Sequence, residues 1–235
     1  PGILKEKHPQ TRVVIVDDCS KEPLGKLNGV DVYRVDDDIP WNAGGATNLA
    51  FQESEGWCVY ADMDHLVTKD NVEKILQIKK EKGTMYLLGR KFKREALSTF
   101  LIHKDDYELV GGQDEDFSGH YGYIDIILIL QCRANLKVVE RRDIKLEYFN
   151  DAVDLDRDET FNEKLFEKKH KQIINTGSKI RFRWHKVQNS NSEEDNHQEK
   201  DISTLKQEMG ITQQPSGHSR IIRLRKYTAK NFWNI

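Results

Sequence analysis

Two carboxylates one residue apart, Asp62 and Asp64, follow the apolar run Trp57-Cys58-Val59-Tyr60-Ala61. A run of that kind reads as a buried strand, so the acids stand where the chain leaves the sheet. In an open α/β sheet ligands bind outside the carboxyl ends of the strands, and paired carboxylates there can hold a divalent cation against the phosphates of a nucleotide. A second β-branched run, Val13-Val14-Ile15-Val16, ends in Asp17-Asp18-Cys19-Ser20 and points two more acids the same way. Acid pairs after strands also serve as plain turn formers or helix caps, so neither motif decides the chemistry alone.

Two further segments belong with them. The stretch WNAGGATNLAF, from Trp41 to Phe51, opens with a glycine pair and runs into a helical pattern. That suits a loop lying against a ligand and leading to a helix N-terminus. The stretch from Gly111 to Asp125, GGQDEDFSGHYGYID, packs glycines, acids and aromatics into one span suited to a binding wall.

At these residues the chain resembles the GT-A glycosyltransferases of the family 2 type. VDDCS, WNAGGATNLAF, YADMDH and GGQDEDFSGHYGYID occur in that family's order over about residues 11 to 150, with an echo at Ile180 to His185. The resemblance implies a GT-A fold, with a mostly parallel central sheet flanked by helices, and metal-dependent transfer of a sugar from a nucleotide-sugar donor (UDP-, GDP- or dTDP-linked) to a glycan or other hydroxyl acceptor. Inversion at the anomeric carbon is expected.

By the same resemblance Asp64 is the direct metal ligand and Asp62 a metal, ribose or water-mediated contact. Hard oxygen ligands favour magnesium or manganese. His185 matches a distant metal ligand of some families. His65 adjoins the acid pair, but on an extended segment it would point away from Asp64. Asp17 and Asp18 match acids that contact nucleotide base and ribose; Asn42, Gly45 and Asn48 line the donor loop. Thr47 stands where the family usually has arginine. Asp125 is the only acid at a place where the family has two, the first being Ile124 here, and it is the expected general base, with Asp114 and Glu115 as fallbacks. On dipole grounds alone Asp125 would also be favourable at the start of a helix. Other readings of these residues are a nucleotidyltransferase acting on sugar phosphates and a non-catalytic nucleotide-sugar or glycan-binding module.

The strand candidates lie near 13–17, 31–35, 57–62, 84–88, 98–103 and 136–140. They alternate with helix candidates near 46–55, 70–81 and 122–134, the βαβ rhythm of an α/β sheet. Asn71 is the expected cap of the second helix, and Glu159 to Lys171 reads as a surface helix. Residues 1–187 form the expected catalytic domain, with the family's first strand missing ahead of Val13. Residues 188–201 are an uninterrupted polar stretch, read as a linker or mobile loop. Residues 202–235 form a basic extension, which suggests either a strand docking back or peripheral contact with a membrane surface.

The 235 residues carry a net charge of −2, which gives no global attraction to nucleic acid. Three cysteines, Cys19, Cys58 and Cys132, suit buried thiols in a reducing, cytoplasmic setting rather than a disulfide framework, and none has zinc spacing. No run approaches the ~20 apolar residues of a membrane span.

Overall fold

The computed structural model describes residues 9–62, 64–90, 98–148, 157–177 and 179–188. The expectations for residues 189–235 lie outside these.

The chain begins with β1 (Val14–Asp18) and β2 (Asp31–Val35), then α1 (Ala43–Gln52), β3 (Trp57–Ala61), the short β4 (His65–Leu66) and α2 (Lys69–Gln77). It continues through β5 (Thr84–Arg90), β6 (Thr99–His103), α3 (Lys104–Leu109), a single 3-10 turn at Glu115–Phe117, α4 (Ile124–Asn135), β7 (Lys137–Tyr148), α5 (Thr160–Lys169) and β8 (Trp184–Lys186). The architecture is mixed α/β. Among the described residues no helix is long and apolar enough to cross a membrane.

The expected mostly parallel central sheet is not what forms. The strands make two sheets, ordered β1-β2-β8 and β3-β6-β5-β7-β4. Among the described residues only β1–β2 and β5–β7 run parallel, whereas β2–β8, β3–β6, β4–β7 and β5–β6 are antiparallel. Chain length explains part of this, because a parallel crossover needs a dozen or more residues and the link from Arg90 to Thr99 is shorter. The β7 strand also outruns its expected end at 140. Its charged Arg141-Arg142-Asp143 interrupts the apolar pattern, and there the register against β5 jumps from Leu88↔Arg141 to Gly89↔Lys145, a bulge that lets pairing resume with Ile144 and Leu146 buried.

Strand alternation divides the core between the two faces of the five-stranded sheet. Met85 and Leu87 of β5 pack with Phe100, Ile102, Phe51, Tyr107, Leu128 and Cys132 beneath α1, α3 and α4. Tyr86 and Leu88 pack on the other face with Ile75, Ile78, Leu101, Ile144 and Leu146 beneath α2. A third cluster, Tyr33, Val35, Ile39, Leu49 and Phe182, seals α1 onto the three-stranded sheet. Thus α1 is the shared wall between the sheets, and both strand ends that carry acids open beside it.

Helix α2 is capped by Thr68 rather than Asn71. The Thr68 hydroxyl accepts from Asn71 N–H and Asn71 Oδ1 accepts from Thr68 N–H at 3.0 Å, a reciprocal box in which Asn71 is the third helical residue.

Candidate active site

Asp62 lies just past the end of β3, where Tyr60, two residues earlier on the same strand face, donates its hydroxyl to Asp62 Oδ1 at 2.7 Å. Burial raises the pKa of Asp62, hydrogen bonds from Ser98 and Tyr60 oppose that rise, and the Asp64 charge adds to it. The chain then turns sharply, His65 N–H bonding back to the Asp62 carbonyl at 2.9 Å. This turn is why His65 does not point away from Asp64 as it would on an extended segment. Its Nδ1 approaches Asp64 Oδ1 to 2.6 Å, with the two side chains 0% and 8% exposed.

Asp62, Asp64 and His65 each offer a donor atom within 4.8 Å of the others, and Asp64 Oδ2 is buried without a hydrogen-bond partner. Two carboxylates enclosed this closely repel unless a cation or a proton intervenes. Oxygen-rich donors with an unsatisfied buried carboxylate fit a divalent cation such as manganese or magnesium.

Asp125 stands in the first turn of α4. Its charge acts on Tyr60, whose pKa is raised well above the usual range first by burial and then by Asp62 and Asp125. Gln113 Nε2 reaches Asp125 Oδ1 at the long distance of 3.5 Å, while Gln113 Oε1 is buried with no hydrogen-bond partner. Beyond Asp125 stands an aromatic wall: Trp41 and Tyr121 rings lie 4.7 Å apart, and the Arg157 guanidinium sits 5.4 Å over Tyr121. Trp41 (φ 52°) and Tyr123 (φ 65°) both hold left-handed backbone without being glycine, strain that persists only where the surroundings enforce it.

Other expected site residues are engaged in holding the frame. Asp17 Oδ1 accepts from Ser20 N–H, and its Oδ2 accepts from Leu24 N–H at 2.8 Å and from Arg34 at 2.6 Å. Burial alone would raise its pKa, but these bonds outweigh burial and lower it. Asp18 is half-buried at the end of β1 and accepts from Asn42 Nδ2 at 2.9 Å. Asn42 Oδ1 in turn accepts from Ser118. Asn48 is fully used inside the protein: its amide donates to Gln113 O and Glu115 Oε1 and accepts from Tyr107 and Gln113 N–H.

Glu115 accepts from Asn48, Ile180 N–H and Arg181 N–H. Burial is the largest influence on it and leaves its pKa raised. Asp114 and Asp116 share Lys169, and Asp116 also holds Arg181, which clasps α5 and residues 179–183 onto the 113–118 loop. His185 stands on β8 with Nδ1 2.9 Å from Asp36 Oδ1, outside the Asp62–Asp64–His65 group. Thr47 is buried in α1 with its hydroxyl on Ala43 O.

The glycine pair serves packing. A Cβ on Gly44 would stand 2.2 Å from Ile124 Cδ1, and one on Gly45 would stand 2.3 Å from Asn42 Oδ1 and 2.5 Å from Phe182. These glycines let α1 close on α4 and on the 179–183 segment, which brings Asp125 toward β3.

Tyr60 and Gln113 were not singled out by sequence reasoning. Tyr60 carried a usable signal, its spacing of two from Asp62 on a strand; Gln113 carried none beyond its place in the glycine-rich span.

No protein-family model matches the chain, and neither does any curated protein. Among solved structures it is similar to a mutant of the Drosophila β-1,4-galactosyltransferase 7, in complex with manganese, UDP-Gal and xylobiose. The identity is 16%, the TM-score 0.39, and the match covers 63% of this chain and 60% of that one. The chain thus spans about three-fifths of that structure, and a likeness at this level says nothing of substrate or chemistry.

Proposed function

We propose that the protein is a metal-dependent GT-A-type glycosyltransferase that moves a sugar from a nucleotide-sugar donor to a hydroxyl acceptor with inversion. The observation that carries this reading is the enclosed Asp62–Asp64–His65 cluster, with an unsatisfied Asp64 oxygen, beside Tyr60, on which the charges of both Asp62 and Asp125 act. A manganese or magnesium ion bound by Asp62 and Asp64 would neutralise the charge that builds on the leaving diphosphate.

The remaining chemistry belongs to the chain's own groups. Asp125 takes the proton from the acceptor hydroxyl as that oxygen attacks the anomeric carbon, and Gln113 steadies the carboxylate through a long bond to its Oδ1. Asp18, tethered by Asn42, contacts the nucleotide at the end of β1. Asp114 and Glu115 act indirectly, by fixing the loop that presents Gln113. Trp41, half-buried and backed by Tyr121, offers an aromatic surface for the acceptor sugar.

The test is to incubate the protein with manganese, a panel of UDP-, GDP- and dTDP-sugars and a mixed glycan acceptor, and to read the product by mass and by anomeric configuration. Transfer with inversion is expected. Pyrophosphate release in a parallel incubation with sugar phosphates and nucleoside triphosphates would replace this reading with nucleotidyl transfer, and retention in the first would remove Asp125 from its role.

A further inference from the structure

We infer that His65 is a nitrogen ligand of the cation site, and that it biases the site toward manganese and other transition-metal ions over magnesium and calcium. The inference rests on the reading of Asp62 and Asp64 as cation ligands and adds a third donor of a different chemical kind.

Three observations converge on it. First, the His65 ring is wholly enclosed, and its Nδ1 lies 2.6 Å from Asp64 Oδ1. Asp64 Oδ1 nonetheless receives no hydrogen bond, so the two atoms are close without being aligned on one another. Donor atoms that approach side by side, with a carboxylate of Asp62 within 4.8 Å, are disposed as ligands of one ion would be.

Second, the backbone fixes this disposition. The turn bond from His65 N–H to the Asp62 carbonyl places residues 62, 64 and 65 on one side, and the pairing of His65 with Tyr148 and Leu66 with Glu147 anchors the turn to β7. The cluster is therefore built into the sheet rather than carried on a free loop, and a preorganised site loses little ordering entropy on binding. Third, Asp64 Oδ2 is buried and unpartnered in the same cluster, a penalty that a cation seated between the donors would relieve.

The donor set decides which ion. Magnesium and calcium take oxygen ligands almost exclusively, whereas imidazole suits the transition metals, whose affinity rises from manganese through iron and cobalt. Two carboxylates with one imidazole therefore place manganese above magnesium, where two carboxylates alone would leave them nearer parity.

The experiment uses the full chain and manganese alone. Electron paramagnetic resonance counts bound manganese, and its pulsed form reads nitrogen hyperfine coupling to the bound ion. The expected result is one tightly bound ion with nitrogen coupling that changes when all histidines carry the heavier nitrogen isotope, disappears in His65→Gln and persists in His185→Gln. His65→Gln should weaken manganese by roughly 10–100-fold or more while changing magnesium far less, which magnesium competition reads directly.

Stoichiometric manganese without nitrogen coupling in the unaltered protein would overturn the role of His65 and leave Asp62 and Asp64 standing, a result that needs no variant to fold. Coupling lost in His185→Gln and kept in His65→Gln would overturn it in favour of the distant histidine. Absence of bound manganese, or binding indifferent to Asp64→Asn, would bring down the reading of the acid pair and this inference with it.

Discussion

Replacing Asp62 by asparagine should stabilise the metal-free protein and at the same time abolish its stabilisation by manganese. The Asp62 and Asp64 donor atoms lie within 4.8 Å. At an effective dielectric constant of about 20 that separation corresponds to a repulsion of about 3 kcal/mol. Against this, Tyr60 and Ser98 lose a charged acceptor and retain a neutral one, a loss of about 1 kcal/mol. A net gain of about 1–2 kcal/mol at neutral pH follows, or roughly 2–8 °C in Tm for a chain of this size.

The pH dependence has a definite sign. The folded pKa of Asp62 is raised, chiefly by burial, so the unaltered protein gains a relieving proton as pH falls through that value. The advantage of Asp62→Asn should therefore be greatest at neutral pH and shrink as the solution is acidified. Manganese at a hundred times its Kd would stabilise the unaltered protein by about 2.7 kcal/mol and the variant by almost nothing. Thermal and urea unfolding with and without manganese measures all of this. A metal-free Asp62→Asn protein less stable than the original by more than about 1 kcal/mol would refute the reasoning, because it would make the carboxylate a structural anchor for Tyr60 and Ser98.

Asp125→Asn should lower turnover by ~10²-fold or more with donor binding nearly unchanged, whereas a helix-end role alone predicts a loss of roughly 1 kcal/mol of stability and ordinary turnover. Gly45→Ala should lower stability by about 1–3 kcal/mol and weaken nucleotide binding more than manganese binding, since its methyl would stand 2.3 Å from Oδ1 of buried Asn42, which tethers Asp18, and 2.5 Å from the Phe182 ring. Arg34→Met should weaken the fold by about 1–3 kcal/mol at neutral pH by removing one partner of buried Asp17. Because the folded pKa of Asp17 is lowered, that difference should persist above the usual carboxylate range and vanish as pH falls through the folded value, which acid titration of both proteins will show.

What was legible in the sequence follows from periodicity. Val13 to Val16 and Trp57 to Ala61 announced strands because β-branched and aromatic runs fit a pleated, half-buried surface, and their acids did emerge at the strand ends. Pairing direction was not legible, since β5, β6 and β7 have the same local pattern whether they run parallel or antiparallel. Nor were β4 and β8, which are too short to show alternation and exist through their partners on β7 and β2.

Within the candidate site, residue type picks out segments but not the division of labour among them. Asp17, Asn48, Asp114 and Glu115 look as reactive in the sequence as Asp64 and Asp125. Only the placement of Arg34, Lys169, Tyr107 and the 180–181 backbone shows their polar atoms taken up by the frame. The glycine pair suits a close-lying ligand by sequence alone, and its room for Ile124 and Phe182 depends on contacts made from far along the chain.

The most direct test of the central claim is a thermal-shift titration of the full chain with UDP-, GDP- and dTDP-sugars, each with and without manganese. One nucleotide sugar should raise Tm only when manganese is present, and Asp64→Asn should lose that rise while keeping its own Tm. A rise that is independent of manganese, or that survives Asp64→Asn unchanged, would contradict the claim.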